Sequence, residues 1–210
     1  MSTPLLRLQH VAKVFGTFVA LRDATADFDA GKLYLITGEN GAGKSTLLRI
    51  VAGLSSPSRG AVERAFAAGE LGYMAHASML YDELSGIENL EYFGKLYGSS
   101  AAQSRTAMEM VDLDPGLSRP VAQYSQGMRQ RLALARAVQN DPKILLLDEP
   151  FSNLDVRSTA HMMQVLSAKR DAGTCILVVT HQAALVEPAA DEHLHIESGV
   201  MRSMVAEVAR

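Results

Sequence analysis

The nine residues Gly38-Glu39-Asn40-Gly41-Ala42-Gly43-Lys44-Ser45-Thr46 constrain this chain more than any other segment. They follow the spacing G-x-x-x-x-G-K-[ST], with the apolar run Lys32 to Thr37 before them and a helix-favouring stretch, Lys44 to Ala52, after them. A strand, a glycine turn and a helix in that order form the context in which this spacing cradles a polyphosphate. Glycines at 38, 41 and 43 let backbone N–H groups turn inward as a nest, and the helix start adds its positive dipole end. Lys44 is then expected to reach the β- and γ-phosphates, the Ser45 hydroxyl to ligate Mg²⁺, and Thr46 to bond the α-phosphate. An accidental glycine loop on a sheet is the competing reading, and the flanking strand and helix disfavour it.

A phosphate cradle alone serves kinases, GTPases, helicases and transport ATPases equally, so the rest of the chain must discriminate. Ile144 to Pro150 (ILLLDEP) and Thr174 to His181 (TCILVVTH) are rich in Ile, Leu and Val, as parallel strands covered by helices on both faces tend to be. Asp148 ends the first run, where it can hold a Mg²⁺ hydration shell, and Glu149 follows it, suited to act as general base toward water. His181 ends the second run and is expected on the same sheet edge, facing a γ-phosphate. An isolated Asp-Glu pair is as readily a solvated turn, and an isolated histidine is more often structural; their joint occurrence favours the catalytic reading. The chain has no Asn-Lys-x-Asp element, which disfavours a GTPase.

Leu5 to Val11 and Phe18 to Phe28 alternate unevenly, as short antiparallel strands do. Ser85 to Glu88 has capping-box spacing and opens a helical region running to about Asn140. Asp155 to Ala172 reads as a helix ending at Gly173. Loops are expected at Ser55 to Gly60, Gly98 to Ser100 and Asp112 to Pro120. The chain carries a net charge of −3 and no basic block, which excludes the electrostatic footprint of a nucleic-acid binder. Its apolar runs are far shorter than the ~20 residues of a membrane-spanning helix. Met1 to Val11 lacks a signal-peptide pattern and Cys175 is the only cysteine, so a cytoplasmic location is expected.

Five motifs stand in one order: the phosphate loop, Tyr124-Ser125-Gln126-Gly127-Met128, Asp148-Glu149, Ser152-Asn153-Leu154-Asp155 and His181. They resemble the Walker A, signature, Walker B, D-loop and switch histidine of the ABC ATPases. The resemblance covers nearly the whole chain and implies a single ABC domain over 1–210. Its fold is α/β: a RecA-like P-loop parallel-sheet core, an N-terminal antiparallel β subdomain and a helical signature subdomain at about 85–140. Phe15 resembles the family's adenine-stacking aromatic, although chemistry alone makes a Phe there more often core. Ser125, Gln126 and Gly127 precede an amphipathic helix and offer a second anion site at its N-terminus; standing alone they would be an ordinary capped helix. In the resembled family the two sites meet when two domains pack head to tail, with Asp155 at the seam, so a second ATP-binding subunit is implied.

Two residues depart from the family pattern. Gln126 stands where a signature Gly is usual, and His76 where most members have a Gln that touches Mg²⁺; imidazole is a poorer Mg²⁺ ligand than oxygen. His76, the short length and Thr180-His181-Gln182 resemble the haem-exporter ATPases of cytochrome c maturation, whereas the signature spelling resembles drug, polysaccharide and antibiotic export ATPases. The resemblance implies an ATPase that acts with an integral membrane subunit from the inner face of the cell membrane. A non-transport ATP switch is the alternative of another class; such proteins usually carry two cassettes, a long coiled coil or a basic surface.

Overall fold

The computed structural model describes residues 3–204; residues 1–2 and 205–210, at the ends of the expected domain and signal-free start, lie outside the described residues. Among the described residues, nine strands form one mixed sheet in the order β4-β1-β2-β9-β8-β3-β7-β6-β5. Its parallel part comprises β5 (Leu71–Met74), β6 (Ile144–Asp148), β7 (Cys175–Val179), β3 (Leu33–Gly38) and β8 (Glu192–Glu197). The antiparallel part comprises β1 (Leu6–Phe15), β2 (Phe18–Phe28) and β4 (Arg59–Arg64). The hairpin of β8 with β9 (Val200–Ser203) joins the two parts, since β9 pairs antiparallel with β8 and parallel with β2.

Alternation along the central strands separates two cores. Leu33 and Leu35 of β3, Leu145 and Leu147 of β6, and Ile176 and Val178 of β7 pack on one face. Tyr34 and Ile36, Leu146, and Leu177 and Val179 pack on the other. The first face is covered by α4 (Gln126–Val138) and α5 (Val156–Asp171), the second by α1 (Lys44–Val51) and the antiparallel strands. Each fully buried Leu, Ile or Val contributes about 1.5–3 kcal/mol, which makes these three strands the stable floor of the site. Cys175 lies in the second core, and burial pushes its thiol up to about 12.

The helical stretch divides into α2 (Gly86–Tyr97), α3 (Ala101–Met110) and α4. Ser85 makes the expected capping box, accepting from the Glu88 N–H while Glu88 accepts from the Ser85 N–H at 2.8 Å. The run to Asn140 is not continuous helix: residues 111–125 are turns and irregular chain with one short 3-10 helix, Val121–Gln123, before α4 begins. Two other expectations are corrected. Arg59 and Gly60 belong to β4, not to a loop, because β4 is recruited by pairing with β1; β1 itself runs on to Phe15. α6 (Ala183–Val186) is a single turn beyond β7. No described helix is long and apolar enough to cross a membrane.

Candidate functional site

β3, β7, β6 and β5 are adjacent and parallel, so the segments following their C-terminal ends meet along one sheet edge. These segments are the phosphate loop, Thr180-His181, Asp148-Glu149 and His76. A cavity of about 360 Å³ lies there, lined by Asn40, Gly41, Gly43, Lys44, Ser45, Thr46, His76, Asp148 and Glu149, with Phe18 and Ala20 on its outer wall.

The loop's shape depends on two glycines. Gly38 has φ +145° and a Cβ there would stand 2.3 Å from the Ile196 carbonyl oxygen; Gly43 has φ +106° and a Cβ 2.4 Å from that of Ala20. No side chain fits either place. The Ala42 N–H donates to the Glu39 carbonyl at 3.1 Å, closing the turn, and α1 starts at Lys44. The Lys44 ammonium is buried and folds back to donate to the carbonyls of Gly38 (2.7 Å) and Glu39 (2.9 Å).

Asp148 is 3 % exposed, and burial holds its carboxyl above the ordinary carboxylate range. A hydrogen bond from Ser45 and the charges of His76 and Lys44 pull the other way, while Glu149 adds to the rise. The folded chain therefore binds this proton more tightly than the unfolded one, so the group's contribution to stability falls as pH rises through its folded pKa, and at neutral pH the buried charge is a cost. Asp148→Asn, in the presence of a magnesium chelator, is expected to raise the unfolding midpoint at pH 7 by about 2–4 °C, roughly 1 kcal/mol for a domain of this size. The gain should vanish toward about pH 3, below the unfolded-state pKa, where the carboxyl is protonated in both states. Scanning calorimetry at the two pH values checks this; a lowered midpoint at pH 7 would contradict it.

Glu149 has φ +54°, a left-handed conformation costly for a side-chain-bearing residue. Its N–H extends the β6–β7 ladder to the Val179 carbonyl at 2.8 Å. Its carboxylate accepts from the Thr180 hydroxyl (3.1 Å) and the His181 N–H (3.1 and 3.3 Å) and lies 2.9 Å from His181 Nδ1. Glu149 is nearly buried and His181 mostly exposed, so the pair joins the cavity floor to the surface.

Other sequence-expected residues do not line this cavity. Ser125 and Gln126 are exposed at the start of α4, and the Ser125 hydroxyl is engaged as N-cap, accepting from the Met128 N–H at 3.2 Å. Accepting that bond leaves the hydroxyl proton available to donate to an anion, beside the first-turn N–H groups of α4. Gly127 packs against segment 152–154, a Cβ there standing 3.2 Å from the Asn153 oxygen. Gln126 lines a second cavity of about 450 Å³ beside His76, which borders both. Asp155 caps α5, accepting from the Ser158 N–H at 2.7 Å, and that bond holds its carboxyl below the usual range. Phe15 is 51 % exposed at the end of β1, with the Lys13 ammonium 4.8 Å from its ring centre, so the core reading of this residue is wrong. Sequence reasoning passed over Phe18 and Gln130. Phe18 carried no motif; Gln130 lay within the signature helix run, but nothing in sequence names its acceptors.

A parallel sheet whose adjacent strand ends bring a glycine-rich phosphate loop, an Asp-Glu pair and a histidine to one cavity defines a P-loop nucleoside triphosphatase. The family model for ABC transporters matches residues 21–152. ABC transporter ATP-binding protein NatA of Bacillus subtilis (strain 168) is 34% identical over 194 residues, 86% of this chain and 79% of its own. Aliphatic sulfonates import ATP-binding protein SsuB 2 of Pseudomonas aeruginosa (strain UCBPP-PA14) is 36% identical over 200 residues, 92% of this chain and 72% of its own. The solved structure of an ATP-binding subunit of an ABC transporter superposes with TM-score 0.87 at 26% identity, over 95% of this chain and 90% of that one. The chain belongs to the ABC transporter family and is an ATP-binding, ATP-hydrolysing subunit of such a transporter.

Proposed function

We propose that this chain hydrolyses Mg-ATP as one of a head-to-tail pair and drives export through a separate integral membrane subunit, from the inner face of the cell membrane, with haem as the cargo. The observation that carries the catalytic part is the Glu149–His181 contact at the edge of the phosphate-loop cavity. Glu149 serves as general base toward the attacking water, its carboxylate oriented by Thr180 and His181, and the remaining nitrogen of His181, Nε2, bonds the γ-phosphate. Lys44 exchanges two loop carbonyls for phosphate oxygens, while the N–H groups of Gly38 to Thr46 hold the rest of the polyphosphate. Ser45 and Asp148, which both line the cavity, are oxygen donors and fit a hard cation; His76 borders the same space as a weaker ligand. Bound Mg²⁺ would supply charge neutralisation on the β- and γ-phosphates. Phe15, exposed at the end of β1 and paired with Phe18 of the cavity wall, stacks on adenine.

Ser125, Gln126 and Gly127 stand outside the phosphate-loop cavity of their own chain, which favours their serving an ATP held by a partner, with Asp155 at the seam. Two-fold pairing then completes both sites at once. Met79, Tyr81, Tyr92, Leu96 and Tyr97 leave apolar surface exposed around the start and outer side of α2, which favours docking of the membrane subunit there. Relatives at similar identity include a named importer. Export, and haem as cargo, rest on His76 and the export-type signature of this chain. The test is purification of the tagged chain from membranes in mild detergent, followed by absorbance spectroscopy. An integral membrane protein is expected to co-purify, and haem to appear in the complex. Recovery of the chain alone would refute the membrane partner; a complex that neither binds haem nor responds to it in ATP turnover would refute the cargo.

A further inference from the structure

Gln130 lies in the second turn of α4, and its side-chain amide Nε2 donates to two successive carbonyls, those of Glu149 at 2.8 Å and Pro150 at 3.0 Å. This is the bend at which Glu149 takes φ +54°. A backbone in that region persists only where its surroundings over-determine it. The Val179 carbonyl receives the Glu149 N–H from the β7 side, and Gln130 grips the Glu149 carbonyl from the α4 side. The same helix begins at Ser125, and its Gly127 abuts the Asn153 carbonyl three residues beyond Pro150. The start of α4 is thus joined to segment 149–153 at two points. Gln130 itself lines the second cavity, not the phosphate-loop cavity.

We infer that Gln130 is a positioning residue for hydrolysis: by holding the Glu149 main chain it sets where the Glu149 carboxylate stands, and it transmits movement of the α4 start to that carboxylate. The inference rests on the reading of Glu149 as general base. A carboxylate displaced by about 1 Å loses on the order of 10²-fold in rate without any change in how substrate is held.

The test compares Gln130→Glu, nearly isosteric but without a donor, with Gln130→Lys, which keeps N–H donors at similar reach. Mg-ATP turnover, ATP affinity by calorimetry and the unfolding midpoint are measured on the purified chain. Gln130→Glu is expected to lose about 10- to 100-fold in kcat with KM and ATP affinity within about threefold of wild type, and Gln130→Lys to recover most of the loss. Wild-type turnover in Gln130→Glu overturns the inference. So does an equal loss in both variants, or a loss of ATP affinity that matches the loss of turnover. Gln130→Leu replaces Gln130→Glu if the latter does not fold, with the same expectations. Glu149→Gln separates the two possible failures. Full turnover in that variant defeats the general-base reading, whereas an inactive Glu149→Gln beside fully active Gln130 variants defeats the positioning role alone.

Discussion

Glu149→Gln is expected to slow ATP hydrolysis by about 10²- to 10⁴-fold and to leave a chain that runs as an ATP-dependent dimer on gel filtration. The substitution preserves shape and one acceptor oxygen, so the bonds from Thr180 and from the His181 N–H can survive and the cavity keeps its form. What it removes is the basic carboxylate that would take a proton from water. ATP then persists, and with it the closed pair that needs a nucleotide between the phosphate loop of one chain and the α4 start of the other. Gel filtration with and without saturating Mg-ATP, beside a phosphate-release assay, measures both parts. A monomer at saturating Mg-ATP would contradict the pairing, and retained hydrolysis would contradict the role of Glu149.

Lys44→Ala is expected to weaken ATP binding by about 2–4 kcal/mol, roughly 30- to 10³-fold in Kd, because it removes a charge-assisted donor from a largely buried site. The effect on folding should be much smaller. The ammonium satisfies two carbonyls, of Gly38 and Glu39, at the mouth of a cavity that admits water, so their loss of a partner is made good by solvent. Calorimetric titration of ATP into the variant, with a thermal scan to confirm the fold, decides the matter. Tight retained affinity would show that the loop's main chain alone does the binding.

How much of this was legible beforehand differs from element to element. β3, β6 and β7 are runs of apolar residues buried on both faces, and such runs announce themselves in one dimension. β4 is exposed along almost its whole length and exists because β1 supplies a ladder, so no local pattern marks it. β8 and β9 close the gap between the parallel and antiparallel parts of the sheet, and their short, polar-interrupted sequences show only after that closure. Ser125 gives a sharper case: its capping spacing was readable, whereas the Met128 N–H that its hydroxyl accepts from, leaving the hydroxyl proton to donate elsewhere, shows only in the fold. Phe15 runs in the opposite direction, a residue whose chemistry favours the core and which the end of β1 leaves outside.

The chemistry of residues 38–46 was determined by sequence alone, because a glycine-rich turn between strand and helix aims its own N–H groups inward and needs no distant residue to do so. Only the tertiary structure decided which side chains share that loop's cavity. Glu149 and His181 are 32 residues apart in the chain and meet because β6 and β7 pair in parallel register, Asp148 opposite Val179. Gln130 reaches the carbonyl of Glu149 across 19 residues because α4 lies over that strand end. Local turns follow from a few torsion angles, whereas contacts of this kind follow from how strands register and helices pack.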